Sequence, residues 1–235
     1  GTCAICLDLL PIDGTGSRQF YSCCTKLLCT GCTYKCLEHS DKSPLCRTSA
    51  PRSVAEVIKN LRRHVAKGNA EAANALGEAY KQGQYGLVQG FNKQFSLFML
   101  AAKQGHAQGQ FAVGRCYQYG EGVEIDHFTA ATWWRLATDQ GFPPAESNLA
   151  MCYFQGEGIE QSHDVAVKWW RRAAAQGNMN AMCNLGMCLS KGHGVEEDYA
   201  EAMRSYKRTE AKGDKSATPA IRQLAGKIAR RARNA

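Results

Sequence analysis

Long apolar runs are missing from this 235-residue sequence, and no stretch approaches the ~18 consecutive apolar residues that a membrane-spanning helix requires. The sequence opens on a cysteine motif rather than on a charged and then apolar leader. We therefore expect no membrane-spanning segment, and secretion is disfavoured rather than excluded.

The sequence also lacks the motifs of several enzyme classes. It contains no phosphate-cradling glycine loop followed by Lys-Ser or Lys-Thr, no nucleophile elbow and no His-Glu-x-x-His. Five histidines lie at predicted helix ends or loops without carboxylate or cysteine partners at useful spacing: His64, His106, His127, His163 and His193. We expect these histidines to be solvated polar side chains, and no catalytic nucleophile is predicted.

Excess charge is nearly absent from most of the chain. The formal net charge is +8, but residues 212–235 hold seven basic side chains against the single acidic Asp214. The basic residues are Lys212, Lys215, Arg222, Lys227, Arg230, Arg231 and Arg233. We interpret them as the solvated face of a capping helix rather than a nucleic-acid or anionic-surface site. No nucleic-acid partner is therefore expected.

Cysteine is scarce after residue 46. Eight of the twelve cysteines lie in the first 46 residues: Cys3, Cys6, Cys23, Cys24, Cys29, Cys32, Cys36 and Cys46. A cysteine-dense module therefore precedes a long cysteine-poor module. The segment from Pro44 to Pro51 marks the boundary, and we divide the chain into residues 1–50, a linker and capping helix at 51–67, and the repeats described next.

A repeat of about 36 residues runs through the second module. Its recurring glycines are Gly68, Gly105, Gly141, Gly177 and Gly213, at spacings of 37, 36, 36 and 36 residues. The same register aligns one aromatic position, occupied by Phe98, Trp134, Trp170 and Tyr206. These spacings predict four repeats at residues 68–104, 105–140, 141–176 and 177–213.

Each repeat has the pattern of a helical hairpin. Apolar or small residues recur three and four positions apart in both halves of the unit, as an amphipathic helix requires. A Gly-x-Gly turn separates the halves in repeats 2–4, and a turn built on Gly83 does so in repeat 1. Asp126, Ser162 and Asp198 are placed to cap the second helix. One hairpin cannot bury both residues of a doublet such as Trp169-Trp170. The hairpins are therefore expected to stack into an α-solenoid, with Trp134 and Trp170 in inter-repeat packing.

The segments LGEAY, VGRCYQYGEGVEID, LAMCYFQGEGIEQS and LGMCLSKGHGVEED carry a family resemblance. They resemble Sel-one-like repeats, relatives of the tetratricopeptide repeat, and the resemblance covers residues 68–213. It implies a scaffold for protein partners that carries no chemistry of its own.

The segments that flank the repeats read as capping helices. Residues 53–65 place Val54, Val57, Ile58, Leu61 and Val65 on one stripe, behind a capping box formed by Ser53 and Glu56. Residues 214–235 are assigned to a C-terminal capping helix and basic tail, with Ile221, Leu224, Ala225 and Ile228 as its stripe.

Three cysteines of the repeat module share one repeat position. Cys116, Cys152 and Cys188 take the place that Ala79 has in the first repeat, which predicts a small buried core site. Paired cysteines within a repeat occur only in the fourth, as Cys183 and Cys188. Free thiols favour a reducing compartment, so an intracellular protein, cytoplasmic or nuclear, is expected.

The first module has the spacing of a zinc site. Cys3-x-x-Cys6 and Cys29-x-x-Cys32 each offer two thiolates, and together they complete one tetrahedral four-cysteine site. The module contains enough further sulfur and nitrogen ligands for a second ion: Cys23, Cys24, Cys36, His39 and Cys46. The alternative interpretation is disulfide stapling, which requires an oxidising compartment.

The segments CAICLDLLP, CCTKLLCTGC and PLCR resemble a RING-like zinc finger over residues 3–47. The resemblance assigns Cys23, Cys24 and Cys46 to the second zinc, with His39, Cys36 or water as the fourth ligand. Because two adjacent cysteines bind one ion awkwardly, the alternative is that one of Cys23 and Cys24 binds and Cys36 replaces the other. The sequence departs from the family pattern at Ser43, where a cysteine is usual, and at Lys26, where a histidine often stands.

The RING-like resemblance also implies a partner. Ile5 and Leu45 occupy the loops that form an apolar groove for a ubiquitin-conjugating enzyme, and Arg47 follows the last cysteine, where active fingers carry a bridging cation. The sequence thus predicts an all-α solenoid preceded by a small zinc-stapled finger. Its expected function is that of a RING-type ubiquitin ligase or ligase subunit that holds a client on the repeats. The alternative is a non-catalytic adaptor, which Ser43 favours.

Overall fold

The computed structural model describes residues 18–21, 26–29 and 54–233, the first two segments as backbone only. Residues 54–233 form ten α-helices: α1 (Val54–Ala66), α2 (Ala70–Gln82), α3 (Phe91–Lys103), α4 (Ala107–Tyr119), α5 (His127–Asp139), α6 (Pro143–Gln155), α7 (His163–Ala175), α8 (Met179–Lys191), α9 (Tyr199–Ala211) and α10 (Thr218–Arg233). The chain divides into two compact units, Gly1–Gly109 and Gln110–Ala235. The all-helical expectation is confirmed from residue 54 onward.

Two short strands lie within the cysteine-dense module. Strand β1 (Arg18–Tyr21) pairs antiparallel with β2 (Lys26–Cys29), so that Arg18 stands opposite Cys29 and Tyr21 opposite Lys26. The repeat patterns did not predict this hairpin, because they begin only after residue 67. The hairpin places Cys29, a predicted zinc ligand, at the end of β2.

The first unit packs the capping helix α1 against the first hairpin, α2 and α3. Ile58 and Leu61 are buried in a cluster with three α2 residues, Ala72, Leu76 and Tyr80. Val57 and Val65 pack partly against this cluster, as predicted. Val54 was wrongly assigned to the stripe, since 52% of it is exposed. It is the first residue of α1, so no preceding helical turn covers it.

In the second unit, consecutive hairpins share their cores. One buried cluster joins repeats 2 and 3 and includes Trp134, Leu149 and Cys152. A second cluster joins repeat 3 to repeat 4 and to α10, and it includes Trp170, Leu185 and Leu224. Because each cluster draws side chains from more than one repeat, a single hairpin would leave its apolar face open. The predicted stacking of repeats is confirmed within this unit.

The repeated aromatic residue of the second helix packs against the first helix of its own hairpin. Trp134 and Trp170 are 3% and 0% exposed, so their prediction as packing residues is confirmed. Their indole Nε1 atoms donate to the carbonyls of Phe111 and Ser147 on the partner helix, each at 3.2 Å. A glycine on the partner helix makes room for the ring in repeats 1, 2 and 4, and Ala150 stands there in repeat 3.

The second glycine of the Gly-x-Gly turn packs against the preceding repeat. Gly158 and Gly194 have φ angles of 71° and 68°, in the left-handed region that other residues rarely adopt. A Cβ at Gly158 would overlap the backbone of His127, and one at Gly194 would overlap the backbone of His163. The turns therefore set how closely neighbouring repeats approach, which the sequence pattern alone did not indicate.

We expect Gly158→Ala to destabilise the protein more than Gly141→Ala. Both glycines have positive φ, which costs an alanine about 1–2 kcal/mol. A Cβ added at Gly141 would meet open space, whereas one added at Gly158 would overlap the His127 backbone. Urea unfolding of both variants measures the difference. Equal losses of unfolding free energy would contradict the close approach.

The predicted helix caps are confirmed at two of three positions. The Asp126 and Asp198 carboxylates accept from the backbone N–H groups of Thr129 (3.0 Å) and Glu201 (2.8 Å). Ser162 stands at the N-cap of α7 but makes no side-chain cap bond. Its hydroxyl donates instead to the Asp164 carboxylate two residues later, so that part of the prediction was wrong.

The C-terminal helix α10 follows a short 3₁₀ turn at Lys215–Ala217. Leu224 is buried and Ile221 partly buried, as the predicted stripe requires. Ala225 and Ile228 are exposed, because Lys227 and Arg231, which lie over the Tyr199 ring, take the covered side of the helix there. The four arginines Arg222, Arg230, Arg231 and Arg233 are exposed, as predicted.

Candidate protein-binding face

Most of the predicted zinc ligands and finger contacts lie outside the described residues. These are Cys3, Cys6, Cys23, Cys24, Cys32, His39 and Cys46, together with Ile5, Leu45 and Arg47. Cys29 is described as the last residue of β2, through its backbone only. Among the side chains that the structure does describe, no group of three or more His, Cys, Asp or Glu could hold a metal ion.

The cysteines of the repeats are core residues, as predicted. Cys116, Cys152 and Cys188 are 0%, 2% and 0% exposed. Burial raises the pKa of the Cys152 thiol to about 12, helped by the nearby Glu157 carboxylate. Burial likewise raises the pKa of Cys188 to about 11. Cys183 is only half-buried, with its sulfur 3.7 Å from Thr209 Oγ1.

This burial predicts an order of thiol reactivity. Because the thiolate is the nucleophile, Cys152 and Cys188 should resist alkylation by iodoacetamide at about pH 8 in the folded chain. Cys183 should react under the same conditions, since its side chain is partly open. Peptide mass mapping before and after unfolding in urea measures each site. Equal labelling of Cys152 and Cys183 without urea would contradict the described burial.

The first helices of repeats 2–4 present a surface that we call the first-helix face. It is formed by α4, α6 and α8 in the second unit. Half-buried and exposed residues repeat along it in register: Asn148 and Asn184, Met151 and Met187, Gln155 and Lys191, with Tyr119 at the position of Gln155. The two asparagine side chains make no hydrogen bond to other parts of the chain that the structure describes.

A cavity opens on this face between repeats 2 and 3. It has a volume of about 220 Å³. Its lining comes from α4, α5 and α6 and from the turn that follows: Gln118, Tyr119, Trp134, Asn148, Met151, Cys152, Gln155 and Glu157. Apolar side chains and carboxamides thus surround a single carboxylate.

A polar network closes one side of the cavity. Gln118 Nε2 donates to Glu157 Oε2 at 3.0 Å, and Gln118 Oε1 lies 3.2 Å from His127 Nδ1. His127 Nδ1 is 3.9 Å from the same Glu157 oxygen. The expectation that His127 lacks a carboxylate partner was therefore wrong. Its partner lies 30 positions along the chain, in the next repeat.

At the equivalent junction between repeats 3 and 4, phenyl, indole and imidazole rings pack against one another. The Phe154 ring centroid lies 4.7 Å from that of His163, 5.8 Å from that of His193 and 5.4 Å from that of Trp170. His163 and His193 stack at 5.7 Å. These two histidines are half-buried packing residues rather than the solvated side chains that we expected.

The second helices carry cations on their exposed side. Lys168, Arg171 and Arg172 on α7 pair with Asp164, Glu201 and Glu146, and the Arg172 Nε–Glu146 Oε1 distance is 2.8 Å. The same register places Arg204, Lys207 and Arg208 on α9, where residues 54–233 supply no carboxylate partner. This exposed side provides control positions away from the first-helix face.

Hairpins of one repeated length, stacked on shared cores, define a helical-repeat protein of the solenoid class. Residues 70–106, 107–142, 143–178 and 180–214 each match the Sel1 repeat family model. These segments make up more than half of the chain, so the chain belongs to the Sel1-repeat family. Proteins of this class are scaffolds for protein–protein interaction. None of the described helices is long and apolar enough to span a membrane.

Two solved structures show the same fold. A protective antigen of uropathogenic Escherichia coli strains is 28% identical with a TM-score of 0.69, over 76% of this chain and 38% of that chain. A Sel1 repeat protein from Oxalobacter formigenes is 28% identical with a TM-score of 0.68, over 74% of this chain and 68% of that chain.

A curated relative is similar over a shorter segment. Chitin synthase regulatory factor 3 of Schizosaccharomyces pombe (strain 972) is 39% identical over 56 residues. These are 24% of this chain and 6% of that protein. The chain thus spans a small part of this relative and well under half of the Escherichia coli antigen.

Proposed function

We propose that the first-helix face binds an extended segment of a partner protein. The observation that carries this proposal is the repeated asparagine at positions 148 and 184, half-buried on consecutive repeats and without a side-chain partner in the described residues. A carboxamide offers both a donor and an acceptor, which match the free N–H and C=O groups of an extended peptide. Two carboxamides in register would hold such a backbone at two points.

The neighbours of the asparagines support the same function. Met151 and Met187 lie one helical turn further along α6 and α8 and are partly buried. Methionine is flexible and polarisable, and it adapts to the side chains of different partners. The face is therefore suited to backbone recognition by Asn148 and Asn184 and to apolar contacts by the methionines.

The test uses the full chain and a displayed peptide library. Peptides selected on the wild type should bind the double variant Asn148→Ala, Asn184→Ala at least about tenfold more weakly, since each lost hydrogen bond is worth about 1 kcal/mol and a vacated partner costs more. The matched control is Lys168→Ala, Arg204→Ala on the second helices. The proposal fails if the asparagine variant binds as the wild type does or if only the control loses binding.

A second candidate function concerns residues 1–50. The four thiolates at Cys3, Cys6, Cys29 and Cys32 have tetrahedral zinc spacing, and the RING-like resemblance adds a second site at Cys23, Cys24, His39 and Cys46. Such a site would hold the shape of the finger, because structural zinc leaves no open coordination position. A metal-stapled finger would then act as an interaction module joined to the repeats.

Ubiquitin transfer is the more specific form of this candidate. Ile5 and Leu45 match the two loops that receive a conjugating enzyme in RING fingers, and the planar guanidinium of Arg47 suits a bridge to two carbonyl groups. An autoubiquitination assay with a panel of conjugating enzymes tests it. Chain formation should fall in Ile5→Ala and Arg47→Ala while bound zinc is unchanged. Absence of product with every enzyme leaves the non-catalytic scaffold as the function.

A further inference from the structure

Two equivalent repeat junctions differ in their chemistry. The 36-residue register aligns Gln118 with Phe154, Gln155 with Lys191 and Glu157 with His193. The first member of each pair lines the cavity between repeats 2 and 3. The second members lie at the junction of repeats 3 and 4. One junction therefore holds a carboxylate and carboxamides where the other holds an aromatic ring and two basic side chains.

At the junction of repeats 3 and 4, the Phe154 ring occupies the position that Gln118 has at the junction of repeats 2 and 3. Its ring contacts Trp170 and both histidines at centroid distances of 4.7–5.8 Å. The register places Lys191, which is exposed, at the position of the cavity residue Gln155. This junction therefore carries an aromatic ring and a cation where the other carries carboxamides, so it provides an internal reference for the open one.

At the junction of repeats 2 and 3, the cavity combines an apolar floor with a held carboxylate. Trp134, Met151 and Cys152 line it, and Trp134 and Cys152 are buried. The Gln118 hydrogen bond and the His127 contact both go to Oε2 of Glu157. Oε1 takes part in neither of these contacts, so the carboxylate is oriented while one oxygen stays available.

We propose that this cavity binds an arginine side chain of the partner segment. The inference rests on the proposed function, because it places the partner on the first-helix face. An arginine stem packs on apolar surface while its charged end reaches a polar partner. The planar guanidinium donates charge-assisted hydrogen bonds to a carboxylate such as Glu157.

Charge and shape together select this occupant. Glu157 is the one charged residue of the cavity lining, so a cation is attracted and an acidic side chain is repelled. At the neighbouring junction, the cation Lys191 and the ring of Phe154 oppose the same occupant.

Titration of the full chain with short peptides tests the inference. The probe is an acetylated and amidated pentapeptide with arginine between alanines, and its matched control carries citrulline, which is neutral and nearly isosteric. Methyl resonances of isotope-labelled methionine report the site. Met151 should shift and saturate with the arginine peptide, while Met187, its counterpart on α8, should not move. The citrulline peptide should bind at least about tenfold more weakly, as expected for the loss of a charged hydrogen bond.

Three variants sharpen the test. Glu157→Gln should weaken the arginine peptide about tenfold, and Gln118→Phe should remove binding by filling the cavity as Phe154 fills the other junction. His193→Gln, the matched change at the closed junction, should leave binding unchanged. The buried Met182 resonance shows whether each variant keeps its fold.

Several outcomes would overturn the inference. It fails if Met151 does not shift at millimolar arginine peptide, if citrulline binds equally well, or if Glu157→Gln has no effect. If library peptides still depend on Asn148 and Asn184 in that case, the proposed function stands without the arginine pocket. If Met151 shifts with the arginine peptide while the Asn148→Ala, Asn184→Ala variant binds library peptides as the wild type does, the arginine pocket is supported. The proposed role of the two asparagines is then wrong.

Discussion

Trp170→Ala is expected to lower the free energy of unfolding by about 3–5 kcal/mol, the usual cost of truncating a large buried aromatic residue. The Trp170 ring is fully buried, its Nε1 donates to the Ser147 carbonyl at 3.2 Å, and it contacts Phe154. The change would leave a cavity in a core that repeats 3 and 4 share and would remove the indole hydrogen bond to α6. Urea unfolding followed by circular dichroism measures the loss.

Trp133→Ala is the matched control for this prediction. Trp133 belongs to the other tryptophan doublet and is half-buried, so its truncation removes less packing. The expected loss is clearly smaller than for Trp170. Equal losses in the two variants, or an unchanged midpoint for Trp170→Ala, would contradict the assignment of Trp170 to the shared core.

Zinc removal is expected to unfold residues 1–47 while leaving the repeats helical. Ligation by four thiolates supplies on the order of 10–16 kcal/mol in small zinc modules, and so short a segment has little core of its own. A strong chelator should therefore collapse the amide spectrum of this segment. The far-ultraviolet helical signal should persist, because buried apolar side chains of residues 54–233 form the repeat cores.

Single cysteine variants distinguish loss of the zinc site from a general loss of folding. Cys3→Ser should reduce the zinc bound per chain, as counted by native mass spectrometry. Cys188→Ser, which alters a buried cysteine of repeat 4, should leave the zinc count unchanged. A chain that is purified under reducing conditions without zinc, or whose finger survives chelation, would contradict the predicted metal site.

Residues that repeat in register could be predicted from the sequence, because the same side chain meets the same neighbour in each unit. Trp134 and Trp170 were placed in the core on this basis, as were Cys116, Cys152 and Cys188. The asparagines at 148 and 184 carry the same signal. They were missed because their side chains are half-buried rather than buried, so they do not belong to the apolar pattern.

The sequence predicted that the repeats stack but not which polar and ring side chains meet between them. Gln118 and Glu157 are 39 residues apart, and nothing in a 36-residue period indicates that their side chains meet. The His127 partner and the Phe154 ring cluster depend likewise on how closely two hairpins approach, which the Gly158 and Gly194 contacts set. Val54 and Ile228 were misjudged because a periodic stripe does not show which of its residues a neighbouring helix covers.

The central claim is that the repeats bind a partner segment on their first-helix face. Hydrogen–deuterium exchange of the full chain, with and without a library-selected peptide, tests this claim most directly. Binding should slow exchange in α6 and α8, around Asn148 and Asn184, and leave the exposed side of α7 and α9 unchanged. Protection confined to α7 and α9, with α6 and α8 unaltered, would contradict the account.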